Sequence, residues 1–114
     1  MVCYTLTNEQ VFSLYQALYE LATTKQDLPI RAGYYILKNI ETLRPLYSSV
    51  VAMRDNIVAK YQEEQNEQVF NEEIKELSVL TNEVNLHIIN LADIGHETLS
   101  FEVINNLMII VAEE

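Results

Sequence analysis

The chain has 114 residues, 49% of them hydrophobic, with two glycines, two prolines, one cysteine and no tryptophan. That length suffices for one domain with its own core, and so few glycines disfavour an all-β fold, which needs many tight turns. The formal net charge of −10 excludes direct nucleic-acid binding through phosphates, although an acidic surface can mimic nucleic acid towards a basic partner.

The first residues, "VCYTL", alternate, so Val2, Tyr4 and Leu6 share one face of a short strand. Cys3 has no second cysteine to pair with and reads as a small buried residue. The stretch "MVCYTLTNEQ" has no basic start and no long apolar run, so it is not read as a secretory signal. Thr7 and Gln10 have the spacing of a capping box, in which each side chain satisfies the other's backbone N–H. The helix it opens carries Val11, Leu14, Tyr15, Leu18, Leu21 and Ala22 at steps of three and four, which is one buried stripe.

Pro29 stands where a first-turn proline belongs, because its missing N–H costs nothing there. The next helix shows Ile36, Ile40, Leu43, Tyr47 and Val50, continued by Met53, Ile57 and Tyr61. The phase holds across Pro45, so the helix bends there rather than stopping. A helix of this span runs about 50 Å, whereas a compact globule of this length is about 35 Å across. Either Pro45 folds the rod back on the body, or part of it overhangs and packs on another chain. "QEEQNEQ" either extends this helix as a solvated spur or forms the loop after it. "NEEIKELSVLTNE" then predicts a short third helix capped by Asn71, with Ile74, Leu77 and Leu80 inward.

In "EVNLHIINL", Val84, Leu86 and Ile88 alternate with Asn85 and His87, which predicts a strand with His87 on its outer face. A lone strand is unstable, so residues 2–6 are expected to pair with residues 84–90. "LSFEVINNLMIIVAEE" closes the chain as a helix capped by Ser100, with Phe101, Ile104, Leu107, Met108 and Val111 as its stripe.

The charge is uneven along the chain. Between Leu28 and Tyr61 stand Arg31, Lys38, Arg44, Arg54 and Lys60 against Glu41 and Asp55, a net of +3. The rest carries a net of −13, so an acidic body surrounds a mildly basic rod. The seven tyrosines outnumber the three phenylalanines, and a ring with a polar tip suits an interface. Tyr15, Tyr47 and Tyr61 read as core rims whose hydroxyls reach water. Tyr34 and Tyr35 are adjacent and cannot both face one core, so one of them, with Arg31 and Lys38 a turn away, is the candidate contact surface. The acidic counterpart is Glu63, Glu64 and Glu67.

No catalytic or metal motif stands out. His96 lies in "DIGHE" beside Asp93 and Glu97, where Gly95 argues for a loop and a third ligand is missing. The paired glutamates all occur in polar runs, where water keeps them ordinary acids. Gly33 and Gly95 cannot build a phosphate loop. The expectation is therefore no enzyme activity, no cofactor and no metal. No run of about 18 apolar residues is present, so no membrane span is expected.

Taken in order, "LTNEQVFSLYQALYEL", "LPIRAGYYILKNIETLRPLYSSVVAMRDNIVAKY", "FNEEIKEL", "EVNLHII" and "LSFEVINNLMIIVAEE" resemble a family of small, poorly characterised proteins encoded by tailed bacteriophages. A leucine–proline start, an alanine/lysine/asparagine helix with a mid-helix proline and an acidic end carry the resemblance over most of the chain. Tyr34 and Tyr35 depart from it, standing where smaller residues are expected. The resemblance implies a phage origin and a small intracellular or virion-associated protein, and it transfers no catalytic residue.

The combined expectation is a single, mainly α-helical domain spanning residues 1–114, with a long Pro-kinked central helix and a short two-stranded β element. Its function is protein–protein binding to a host or phage protein in the host cytoplasm, with inhibition of a host defence protein as one version. The alternative is a minor virion component of head or tail that packs through its long helix as a homo-oligomer.

Overall fold

The computed structural model describes residues 2–24, 28–64, 67–90 and 101–112. It is mainly helical, as the periodicity predicts. The chain runs β1 (Val2–Thr7), α1 (Asn8–Thr24), α2 (Ile30–Glu64), α3 (Glu67–Val79), β2 (Thr81–Leu86), β3 (Ile89–Asn90), α4 (Phe101–Leu107) and β4 (Val111–Ala112). Among the described residues no helix is long and apolar enough to cross a membrane.

The capping box forms. Gln10 N donates to Thr7 Oγ1 at 3.1 Å, and Thr7 N donates to Gln10 Oε1 at 2.9 Å. Two of the N–H groups that a helix start leaves without partners are thereby satisfied. At the other end of α1, Thr23 and Thr24 turn their hydroxyls back onto the carbonyls of Tyr19 and Glu20, a local bond that competes with further helix.

β1 pairs antiparallel with β2, from Val2↔Leu86 to Thr7↔Thr81. This register sets Tyr4 across from Val84 and puts Leu6, Val84 and Leu86 inside. The expected pairing of the N-terminal strand with the later segment is therefore present, but its far limit is corrected. The β2 ladder ends at Leu86, and Ile89–Asn90 instead pairs parallel with Val111–Ala112. Cys3 is also corrected: it alternates with Tyr4, faces outward and is exposed.

The core joins Leu14, Leu18 and Leu21 of α1 to Ile36, Ile40 and Leu43 of α2, with Leu86, Ile89, Leu107 and Ile110 closing it. The inward residues of α4 are Val103 and Leu107, followed by Ile110. The helix stops at Leu107 and Val111 enters β4, so the predicted stripe through Met108 and Val111 is corrected, and Met108 is exposed. Ser100, the predicted cap, and His96 lie outside the described residues.

Two buried asparagines hold this arrangement together. Asn39 is 0% exposed; its Nδ2 donates to His87 O at 3.0 Å and its Oδ1 accepts from His87 N at 2.8 Å. One side-chain amide thus satisfies both backbone groups of His87, the first of the two residues between β2 and β3. Asn8 donates to the carbonyl of Leu77 and accepts from Asn82 Nδ2, each at 2.8 Å. Leu77 lies in the last turn of α3, whose carbonyls lack partners within the helix, so Asn8 ties α3 to the β1–α1 junction.

Helix α2 stays continuous through Pro45. Pro45 and Glu41 are both exposed, so the i−4 hydrogen bond that the imide nitrogen cannot make falls on the solvent side of the helix. The rod is not folded back on the body. The molecule measures 50 × 27 × 22 Å, and a helix of 35 residues is about 52 Å long, so α2 spans the long axis. The radius of gyration is 16.0 Å, against about 13 Å for a compact chain of this length. Beyond Leu43 the single buried residue in the described part of α2 is Ile57. That half is covered by α3, which itself has no fully buried residue. Helix α3 starts at Glu67, four residues before the predicted cap Asn71, so the described residues of the acidic "QEEQNEQ" stretch, 62–64 and 67–68, are helical. Together, distal α2 and α3 form a thin arm projecting from the core.

Candidate interaction surface

The proximal end of α2 puts its buried residues, Ala32, Ile36, Asn39 and Ile40, on one side. The helical period leaves the opposite side to Ile30, Tyr34 and Leu37, which are 92%, 54% and 56% exposed. Arg31 is exposed beside them. Lys38 Nζ lies 5.5 Å from the Tyr34 ring centroid and 3.6 Å from Glu41 Oε2. A cation within about 6 Å of an aromatic face is attracted by the ring's electrons. This is an apolar strip with a basic border, and the structure does bring Arg31, Tyr34 and Lys38 together.

Tyr35 leaves the set. It is half-buried and stacks on His87, with ring centroids 4.4 Å apart and planes 3° from parallel. His87 is corrected with it: its ring lies against α2 rather than on an outer strand face, because β2 has ended and Asn39 holds the backbone there. The alternative between Tyr34 and Tyr35 resolves to Tyr34 as the exposed ring.

The acidic candidates lie at the opposite end. Glu67 is exposed at the start of α3. Glu63 and Glu64 belong to the last turn of α2, and their side chains lie outside the described residues. Arg31 and Glu64 are separated by about 50 Å of helix. The seven predicted residues therefore do not form one site.

The sequence reading missed a second surface on the arm. Met53, Asn56, Ile57 and Lys60 of α2 face Glu73, Glu76 and Leu77 of α3, with Leu80 just beyond it, across a cleft of about 460 Å³. Lys60 Nζ and Glu73 Oε1 bridge it at 2.9 Å. Met53, Val79 and Leu80 are 50%, 58% and 55% exposed, so this cleft is apolar with an acidic rim. The signal was present in Met53 and Leu80, both assigned to buried stripes, at places where too little chain remained to cover them.

Between the two surfaces the ring stack is structural. Tyr15 and Tyr47 stack at 4.1 Å, Phe12 and Tyr47 at 5.2 Å, and Arg54 caps Phe12 at 4.9 Å. Among the described residues no three His, Cys, Asp or Glu side chains gather to hold a metal. Comparison of the chain with protein-family models, with curated proteins and with solved structures gave no match.

Proposed function

We propose that this chain is a non-enzymatic accessory protein of the tailed-bacteriophage type that acts in the host cytoplasm by binding another protein. Inhibition of a host defence protein is the concrete form of this reading. The observation that carries it is the strip Ile30, Tyr34 and Leu37, exposed on the rod and bordered by Arg31 and Lys38. Exposed aromatic and apolar side chains grouped with cations are what a protein interface uses for anchoring and orientation. The acidic remainder of the chain is a separate candidate contact that favours a basic partner, whereas the border of the strip favours an acidic one.

The test is capture of partners by the tagged chain from phage-infected cells, with Tyr34→Ala and Lys38→Glu beside the parent. The expected result is a defined protein retained by the parent and lost by both variants. Equal capture by parent and variants refutes this surface.

A second reading is a minor virion component, favoured by the 50 Å rod and its thin arm. It predicts the chain in purified particles at fixed stoichiometry, and its absence there removes this reading.

A further inference from the structure

We infer that the outer edge of β1 is a strand-addition site, and that its occupant is an extended segment of another protein with basic flanks. This goes beyond the strip on α2 and does not depend on it. The register identifies the edge. Asn8 N donates to Leu80 O at 2.8 Å, one step past the Thr7↔Thr81 pair. Opposed residues of an antiparallel ladder alternate between exchanging both backbone bonds and exchanging none. Val2, Tyr4 and Leu6 therefore bond to β2, whereas Cys3, Thr5 and Thr7 turn their N–H and C=O groups away from it. The N–H of Thr7 fits this phase, since it goes to Gln10 at 2.9 Å. On β2 the same phase turns His87 away from β1, and Asn39 of α2 meets it there. On β1, Cys3 and Thr5 are left. Both are exposed, and among the described residues no backbone group outside the ladder bonds theirs.

Outward N–H and C=O groups on alternate residues of one strand match the backbone of an added strand. Natural edges discourage such addition with lysine, proline or a bulge. β1 has none of these: its sequence is VCYTLT, and its pairing with β2 runs without a break from Val2 to Thr7. Charge then selects the occupant. β1, β2 and α1 contain no lysine or arginine, only Glu9, Glu20 and Glu83. A second copy brings the same acids and a net charge of −10 of its own, whereas a basic segment is attracted. On the face turned to the core, the added strand lies beside Val2, which is 40% exposed, and Tyr4, and this suits apolar side chains. On the other face it lies beside Cys3 and Thr5, and this suits small polar ones.

The test uses the full chain under reducing conditions at low salt. The probe is a synthetic peptide of alternating valine and threonine with lysines at both ends, and the readout is amide hydrogen exchange by NMR. In the free chain, Tyr4 and Leu6 amides should exchange at least about tenfold more slowly than those of Cys3 and Thr5. Saturating peptide should slow Cys3 and Thr5 by about tenfold or more, with a Kd of about 0.1–1 mM. The same peptide ended in glutamates should bind at least about tenfold more weakly. Thr5→Pro removes an outward N–H but no ladder bond, and should abolish peptide binding while circular dichroism stays helical. Free-chain exchange without the alternation overturns the assignment of the edge. Cys3 and Thr5 amides unmoved by millimolar basic peptide overturn the site, and equal binding of the glutamate-ended peptide overturns the basic occupant. Protection that grows with chain concentration alone makes the occupant a second copy and likewise overturns the inference. The exchange measurements need no variant, so they decide the matter even if Thr5→Pro fails to fold.

Discussion

Replacing Asn39 tests the claim that one side chain closes the gap between β2 and β3. Its amide makes two hydrogen bonds to the backbone of His87, at 3.0 and 2.8 Å, from a fully buried position. Asn39→Ala leaves the His87 N–H and C=O without their partner. An unpaired buried polar group costs about 1–3 kcal/mol. His87 itself is half-buried, so water recovers part of this, and a net loss of about 2–4 kcal/mol is expected. With about 2.1 cal/mol/K of unfolding entropy per residue, a chain of this length loses about 4 °C per kcal/mol. Asn39→Ala should therefore melt about 8–16 °C below the parent. Asn39→Asp keeps the acceptor but points a carboxylate at the His87 carbonyl, and should be at least as damaging. Thr42→Ala, one turn on and exposed, is the control and should stay within about 0.5 kcal/mol. Thermal unfolding followed by circular dichroism reads all three. An Asn39→Ala variant that melts within about 2 °C of the parent would show that the amide bonds are dispensable.

Deleting residues 1–6 removes the partner of β2 and the buried Leu6, and should lower the melting temperature markedly; unchanged melting contradicts the register. Thr7→Ala should cost about 1 kcal/mol through the lost cap, measured by urea unfolding. Amide hydrogen exchange should be faster in α3 than in α1, because α3 buries no residue fully whereas α1 buries six; equal protection would mean the arm is more firmly held than its packing implies. Burial raises the Tyr4 hydroxyl above its usual 10.0. The folded state thus holds that proton more tightly, so its contribution is full below pH 10 and is lost as pH rises through the folded value. Tyr4→Phe should flatten that alkaline decline, read as melting temperature against pH.

Local signals determined much of this protein. The Thr7–Gln10 box, the α1 stripe and the continuation of the helix through Pro45 are near-neighbour patterns, and each appears in the structure. The pairing of the first strand with the later one was also legible, since a short alternating run needs a partner and few were available. Tertiary structure decided what periodicity cannot carry. Asn39 and Asn8 sit among apolar neighbours, but which distant backbone groups they bond depends on how α2 and α1 meet the strands. His87 and Ile88 continue an alternating pattern, yet Ile88 is exposed and Ile89 buried, and the backbone of His87 takes its hydrogen bonds from Asn39 of α2. Tyr34 and Tyr35 differ by about 100° around one helix, and only the presence of His87 on one side made Tyr35 the half-buried ring. Met53 and Leu80 read as core by spacing, but a helix of 52 Å outruns a core built around its first half. The sequence wrote one continuous stripe, and packing covered only the part that the rest of the chain could reach.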